Sequence, residues 1–175
     1  MTKLGFKHLT LKNWLQPDKA SLLLLSTTLT GTEHPNPSSR WINYVLEPRL
    51  SDQVPKEVMA LFEVARATIA YGFLFYPLFT LGLEQLTRVG EAAIVKKCEI
   101  EKSPLSKRRF ANGIEWLAQH SFLTQAKKRI WHSMRDTRNF ASHPNSQSIL
   151  PPGLVLGFLE KYAETINSLY TLPKL

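Results

Sequence analysis

Apolar residues recur at intervals of three and four residues from Pro55 almost to the end of the chain. This spacing is typical of helices, and no segment shows the two-residue alternation of a half-buried strand. The sequence therefore predicts an all-α fold: a bundle of four or five helices with a short helical N-terminal extension. The length of 175 residues fits one domain. We expect residues 1–50 to form the extension and residues 51–175 the helical domain.

Helix starts and stops can be placed from proline and capping residues. The N-terminal region predicts a short helix over Asp18–Thr28, a loop over 31–39, and a second short helix capped by Ser38 or Ser39 and closed by Pro48. Pro55 suits a first helical turn. Pro77 should kink or break the pattern that follows, which predicts one long kinked helix or two helices in line, ending in a loop over 96–107.

The remaining pattern predicts three more helices. One begins near Ser106 and buries Phe110, Ile114, Leu117 and Ala118. The next runs from about Leu123 to Ser142 and ends before Pro144, because the residue preceding a proline is biased out of the α region. A last helix follows residues 151–153 and places Val155, Leu159, Tyr162, Ile166 and Leu169 on one face.

An uncharged run of seventeen residues lies between Arg66 and Glu84. A membrane span usually needs about 20 apolar residues, and this run contains Gly72, Pro77 and Gly82. We interpret it as a helix buried in a bundle or at a dimer interface, and we do not expect a membrane span.

Composition gives broader expectations about partners and compartment. The net charge of +8 favours an anionic partner such as nucleic acid, although a solvated basic surface explains it equally well. Two basic runs, residues 107–109 and 127–129, are candidate phosphate contacts with the same alternative. Cys98 is the only cysteine, which suits a reducing, cytoplasmic setting, and residues 1–15 do not resemble a signal peptide.

The polar segment 134–144 stands out from its apolar context. Asn139 and His143 are four residues apart and share a helix face. Arg138 and His143 diverge by about 140° on an ideal helix, but arginine is long and the helix ends at His143. We therefore predict a compact polar site in which Arg138 and His143 converge, with Asn139, Arg135 and Ser142 as supporting residues.

These residue types suit phosphodiester chemistry. Histidine exchanges a proton near neutral pH, and the arginine fork matches phosphate oxygens. With RNA as substrate, the 2′-hydroxyl is a built-in nucleophile. Cleavage of RNA in this way would need no metal and no other cofactor, in keeping with the lack of Asp, Glu and His at metal-ligand spacing.

A structural role explains the same residues without chemistry. Arginine and histidine fall at this spacing by chance in many proteins. Arg138 would then cap carbonyl groups or pair with Asp136 or Glu164, and the helix dipole would favour His143.

Residues 138–143, Arg-Asn-Phe-Ala-Ser-His, resemble the Arg-x4–6-His motif of the HEPN superfamily in its Arg-Asn-x-x-x-His form. The surrounding pattern is similar too: a preceding helix with Phe110 and Ile114, a short turn, a proline after the motif, and a closing helix. The resemblance covers Pro55–Tyr170.

The resemblance implies an all-α homodimer whose two motifs face each other, and metal-independent cleavage of RNA to 2′,3′-cyclic phosphate and 5′-hydroxyl ends. Arg138 and His143 would be catalytic and Asn139 supporting. It also implies a bacterial defence or toxin–antitoxin setting, with an antitoxin or regulatory partner. The alternative is a non-catalytic module that binds a nucleotide, RNA or a protein.

One departure concerns the toxin members. Some of them continue after the histidine with x-Tyr-Glu, whereas this chain has Pro144-Asn145-Ser146. The departure weakens the toxin assignment and leaves the Arg138–His143 pair unaffected.

Overall fold

Seven α-helices make up the part of the chain that the computed structural model describes, namely residues 7–28, 37–141 and 150–171, and no strand occurs in those ranges. The all-α prediction is confirmed, with five helices following two short N-terminal ones. In chain order the helices are α1 (Lys19–Thr28), α2 (Pro37–Leu46), α3 (Lys56–Tyr71), α4 (Leu78–Ile100), α5 (Phe110–Gln119), α6 (Gln125–Ala141) and α7 (Pro152–Tyr170), with a 3₁₀ turn at Leu105–Lys107.

The central helix of the bundle is α4, which packs against α3, α5, α6 and α7. Its buried positions cover about half of the helix circumference, a wide apolar face that suits a helix with four neighbours. The predicted faces of the other helices are buried as expected: Phe110, Ile114 and Leu117 on α5, and Val155, Leu159, Tyr162, Ile166 and Leu169 on α7.

Helices α3 and α4 are antiparallel neighbours, so the prediction of one kinked helix or two helices in line was wrong. Lys96 near the end of α4 lies 3.7 Å from Glu57 near the start of α3. Residues 72–77 form the turn between the helices, which confirms the break at Pro77. Apolar spacing identifies the buried face of each helix but not the direction in which the second one leaves the turn.

The uncharged run contains the end of α3, this turn and the start of α4. No helix among the described residues is long and apolar enough to cross a membrane.

Two predicted helix boundaries were misplaced. Helix α2 begins at Pro37, inside the predicted loop, and α4 continues to Ile100, beyond the predicted loop start at residue 96.

Two chain reversals position the helices that follow α4. The C-terminal ends of α4 and α5 are each closed by two backbone hydrogen bonds, and one residue of each turn has a positive φ. After α4, Ser103 donates to the Cys98 carbonyl at 2.8 Å, with Lys102 at φ 56°. After α5, Phe122 donates to the Leu117 carbonyl at 2.9 Å, with Ser121 at φ 65°.

The N-terminal segment is fastened to the α3–α4 turn by a buried carboxylate. Asp18 accepts hydrogen bonds from the backbone N–H groups of Tyr76 at 3.2 Å, Ala20 at 3.0 Å and Lys7 at 3.3 Å. The Ser21 hydroxyl donates to the Gly72 carbonyl at 2.7 Å. These long-range bonds satisfy backbone groups that the turn leaves without helical partners.

Gly82 permits the close approach of α4 to α3. A Cβ atom at this position would overlap the Cγ1 atom of Ile69, a fully buried side chain. Gly157 on α7 is the opposite case, because a Cβ atom there would meet nothing within 4 Å. The two helical glycines therefore separate the steric effect of a methyl group from its effect on helix propensity.

We expect Gly82→Ala to lower the free energy of unfolding by roughly 1–3 kcal/mol, because overpacking outweighs the better helix propensity of alanine. Gly157→Ala, the matched control, should raise it by about 0.5–1 kcal/mol. Urea unfolding followed by circular dichroism measures both. Equal effects of the same sign at the two positions would contradict the close packing of α3 on α4.

Candidate functional site

Helix α6 is held to the core by one face. Its start is capped by Thr124, whose hydroxyl oxygen accepts a hydrogen bond from the Lys127 N–H at 3.3 Å. Trp131 is fully buried and Met134 nearly so. Because these anchors lie on one side, the opposite side of α6 is left for polar residues.

Tyr162 of α7 fixes the turn of α6 that leads into the predicted motif. Its hydroxyl donates to the Met134 carbonyl at 3.1 Å. In a regular helix this carbonyl is also the acceptor for the backbone N–H of Arg138. Burial raises the pKa of the Tyr162 hydroxyl well above its usual value, so the group remains a neutral donor at physiological pH.

Three cationic or titratable side chains follow the outer face of α6. Lys128, His132 and Arg135 are spaced four and three residues apart, which places them along one side of the helix. Arg135 donates from Nε and an Nη atom to Asp136 Oδ1 at 3.0 and 2.7 Å. Asp136, a sequence-based candidate partner of Arg138, thus accepts hydrogen bonds from Arg135.

Glu115 of α5 joins two of these side chains. Lys128 Nζ donates to Glu115 Oε2 at 2.7 Å, and His132 Nε2 lies 2.9 Å from Glu115 Oε1. Because a carboxylate only accepts, the Nε2 atom of His132 carries the proton. The hydrogen bond from Lys128, followed by that from His132, lowers the pKa of Glu115 against the opposing effect of desolvation. The group is therefore a charged carboxylate at neutral pH.

The predicted site residues fall partly within this description. Arg135 lies half-buried on the outer face of α6. Arg138 and Asn139 lie in the last turns of the helix, which continues to Ala141. Their side chains, and the whole of Ser142 and His143, lie outside the described residues. The convergence of Arg138 on His143 therefore stays a prediction.

Glu115 and His132 are not among the residues that the sequence predicts for the site. A usable signal was present, since opposite charges stood on the outer faces of two helices joined by a short turn. Antiparallel neighbours with such a turn bring these faces side by side. The particular pairing also requires the helix register, which charge pattern alone does not give.

A concave region with a volume of about 720 Å³ lies between α2 and α3, away from the outer face of α6. Its lining is mainly apolar and includes Trp41, Ala70 and Tyr71. Arg66, which also lines it, forms an ion pair with Glu63 at 2.6 Å.

Within the described ranges, no group of three or more His, Cys, Asp or Glu residues is arranged to hold a metal ion. The outer face of α6 has the stronger concentration of groups suited to an anionic ligand.

The comparisons with known proteins give one match. A family model described as a domain of unknown function (DUF4145) matches residues 83–175, just over half of the chain. The matched region contains most of α4 and all of α5, α6 and α7, including the predicted motif. No curated protein and no solved structure matches the chain.

We expect Tyr162→Phe to lower the free energy of unfolding by about 1 kcal/mol, because it removes a buried hydrogen bond without opening a cavity. Tyr71→Phe, at an exposed tyrosine of α3, should change it by less than about 0.5 kcal/mol. Urea unfolding provides the measurement. Indistinguishable midpoints for the two variants would contradict the role of the Tyr162–Met134 bond in holding α6.

Proposed function

The chain belongs to the DUF4145 family, a domain of unknown function, and we propose that it is a metal-independent endoribonuclease. In this proposal Arg138 and His143 act on the phosphodiester and Asn139 positions one of them. The runner-up function is a non-catalytic module that binds a nucleotide, RNA or a protein through the same face.

One observation carries the proposal: the motif begins in the last turns of a helix that is anchored on one side and cationic on the other. Trp131 and Met134 hold the inner side. Lys128, His132 and Arg135 lead along the outer side towards Arg138. A firmly held helix that presents several cations suits a polyanion, and the net charge of +8 favours the same class of partner.

The proposed reaction uses the substrate's own nucleophile. The 2′-hydroxyl of the ribose loses its proton and attacks the adjacent phosphorus. The bond from phosphorus to the 5′-oxygen breaks, which leaves a 2′,3′-cyclic phosphate and a 5′-hydroxyl that takes up a proton. His143 exchanges one of these protons. Arg138 stabilises the additional negative charge on the phosphorane oxygens.

The proposal includes two further expectations from the HEPN resemblance. The chain acts as a homodimer in which the two motifs form one composite site. Its setting is bacterial defence or a toxin–antitoxin pair, with an antitoxin or regulatory partner. The helical arrangement of a turn, the motif helix and a closing helix supports the resemblance on which these expectations depend.

The test is incubation of the purified protein with mixed single-stranded and structured RNAs in EDTA. We expect cleavage that leaves cyclic phosphate ends. His143→Ala should reduce the rate by roughly 10²–10⁴-fold, because general acid–base catalysis contributes that much. Arg138→Ala should have an effect of similar size, because it removes an electrostatic stabiliser of the transition state.

His8→Ala provides the matched control, since His8 is exposed on the N-terminal segment and belongs to no part of the proposed site. Its rate should equal that of the wild type. Cleavage retained by both Arg138→Ala and His143→Ala would overturn the assignment of the catalytic pair. RNA binding without any cleavage by the wild type would favour the binding module.

A further inference from the structure

We propose that Lys128 and His132 form a phosphate-binding subsite for RNA, which the carboxylate of Glu115 occupies in the free protein. The inference rests on RNA as the ligand of the proposed function, but not on cleavage. It assigns Glu115 the role of an internal competitor that the phosphodiester backbone displaces on binding.

The geometry resembles that of a bound oxyanion. Lys128 Nζ and His132 Nε2 approach different oxygens of the same carboxylate, at 2.7 and 2.9 Å. These are distances of strong, charge-assisted hydrogen bonds. The two non-bridging oxygens of a phosphodiester provide acceptors of the same kind, so the donors that hold Glu115 also suit an RNA phosphate.

The arrangement also allows an RNA phosphate to replace the carboxylate of Glu115. The side chain of Glu115 is 44% exposed, and those of Lys128 and His132 are each 26% exposed. Glu115 can therefore rotate into solvent without opening the core. Ion pairs at such partly exposed positions are weak, so a polyanion that makes several contacts can replace the carboxylate.

The subsite is continuous with the predicted catalytic motif. Lys128, His132 and Arg135 share the outer face of α6, and Lys128 lies about 10 Å along the helix axis from Arg135. Arg138 follows three residues later. An RNA strand bound along this face would contact Lys128 and His132 before Arg135. Beyond Arg135 it would reach the predicted motif.

The competitor makes a specific prediction: removing the negative charge of Glu115 strengthens RNA binding, whereas removing the negative charge of an exposed glutamate on α7 does not. The probe is a fluorescent 2′-O-methyl oligouridylate, which lacks the attacking hydroxyl and so reports binding without cleavage. We expect Glu115→Gln to lower its Kd by roughly threefold to tenfold, because Lys128 and His132 no longer hold a resident carboxylate.

Two further variants make the test specific. Lys128→Gln should raise the Kd and reduce the slope of log K against log salt by about 0.7, the value for one phosphate contact on a single strand. Glu160→Gln is the matched control, because it makes the same charge change at an exposed position of α7. Its Kd should stay within twofold, or roughly 0.4 kcal/mol, of the wild-type value. Urea midpoints check that all variants are folded.

An unchanged Kd for Glu115→Gln, an equal decrease for Glu160→Gln, or no binding by either wild type or Glu115→Gln would overturn the subsite. A slope of log K against log salt in Lys128→Gln equal to that of the wild type would overturn it as well. Cleavage of ordinary RNA is scored separately. If Glu115→Gln tightens binding while the wild type cuts no RNA, the proposed nuclease function fails and the subsite stands.

Discussion

The close seating of Tyr162 on the central helix depends on the small size of Gly90. A Cβ atom there would lie 3.0 Å from Cε1 of Tyr162 and 3.6 Å from a ring carbon of Trp131. Both aromatic rings therefore pack directly against the backbone of α4. Tyr162, seated in this way, directs its hydroxyl to the Met134 carbonyl. One small residue on the central helix thus leaves room for the side chain that fastens α6, the helix in which the motif begins.

Much of the fold could be predicted because burial follows local spacing. The five positions expected on the inner face of α7 are all buried, and the break at Pro77 occurs where proline removes a backbone donor. The relative direction of α3 and α4 could not be predicted in the same way. It follows from the turn at residues 72–77 and from contacts such as that of Gly82 with Ile69, which join residues distant in sequence.

The candidate site was predictable to a different extent. Arg138, Asn139 and His143 are close in sequence, so a helix period and a terminating proline suffice to propose their proximity. Glu115 is thirteen residues from Lys128 and meets it only because the chain reverses after α5. That reversal places Ser121 at φ 65°, a conformation for which glycine or asparagine is the usual sequence signal. The turn itself was predicted despite the serine, but the pairing across it depends on the register of α5 against α6, which the charge pattern does not give.

The cations on α6 illustrate how one helix face serves both stability and recognition. Lys128 and Arg135 carry like charges on the same helix face, so they would repel one another. Glu115 and Asp136 offset this repulsion by pairing with members of the row. In the proposed complex the phosphates of the RNA backbone neutralise these positive charges instead of Glu115 and Asp136. The free protein therefore keeps the row stable with weak, partly exposed ion pairs, which cost little to exchange when a polyanion binds.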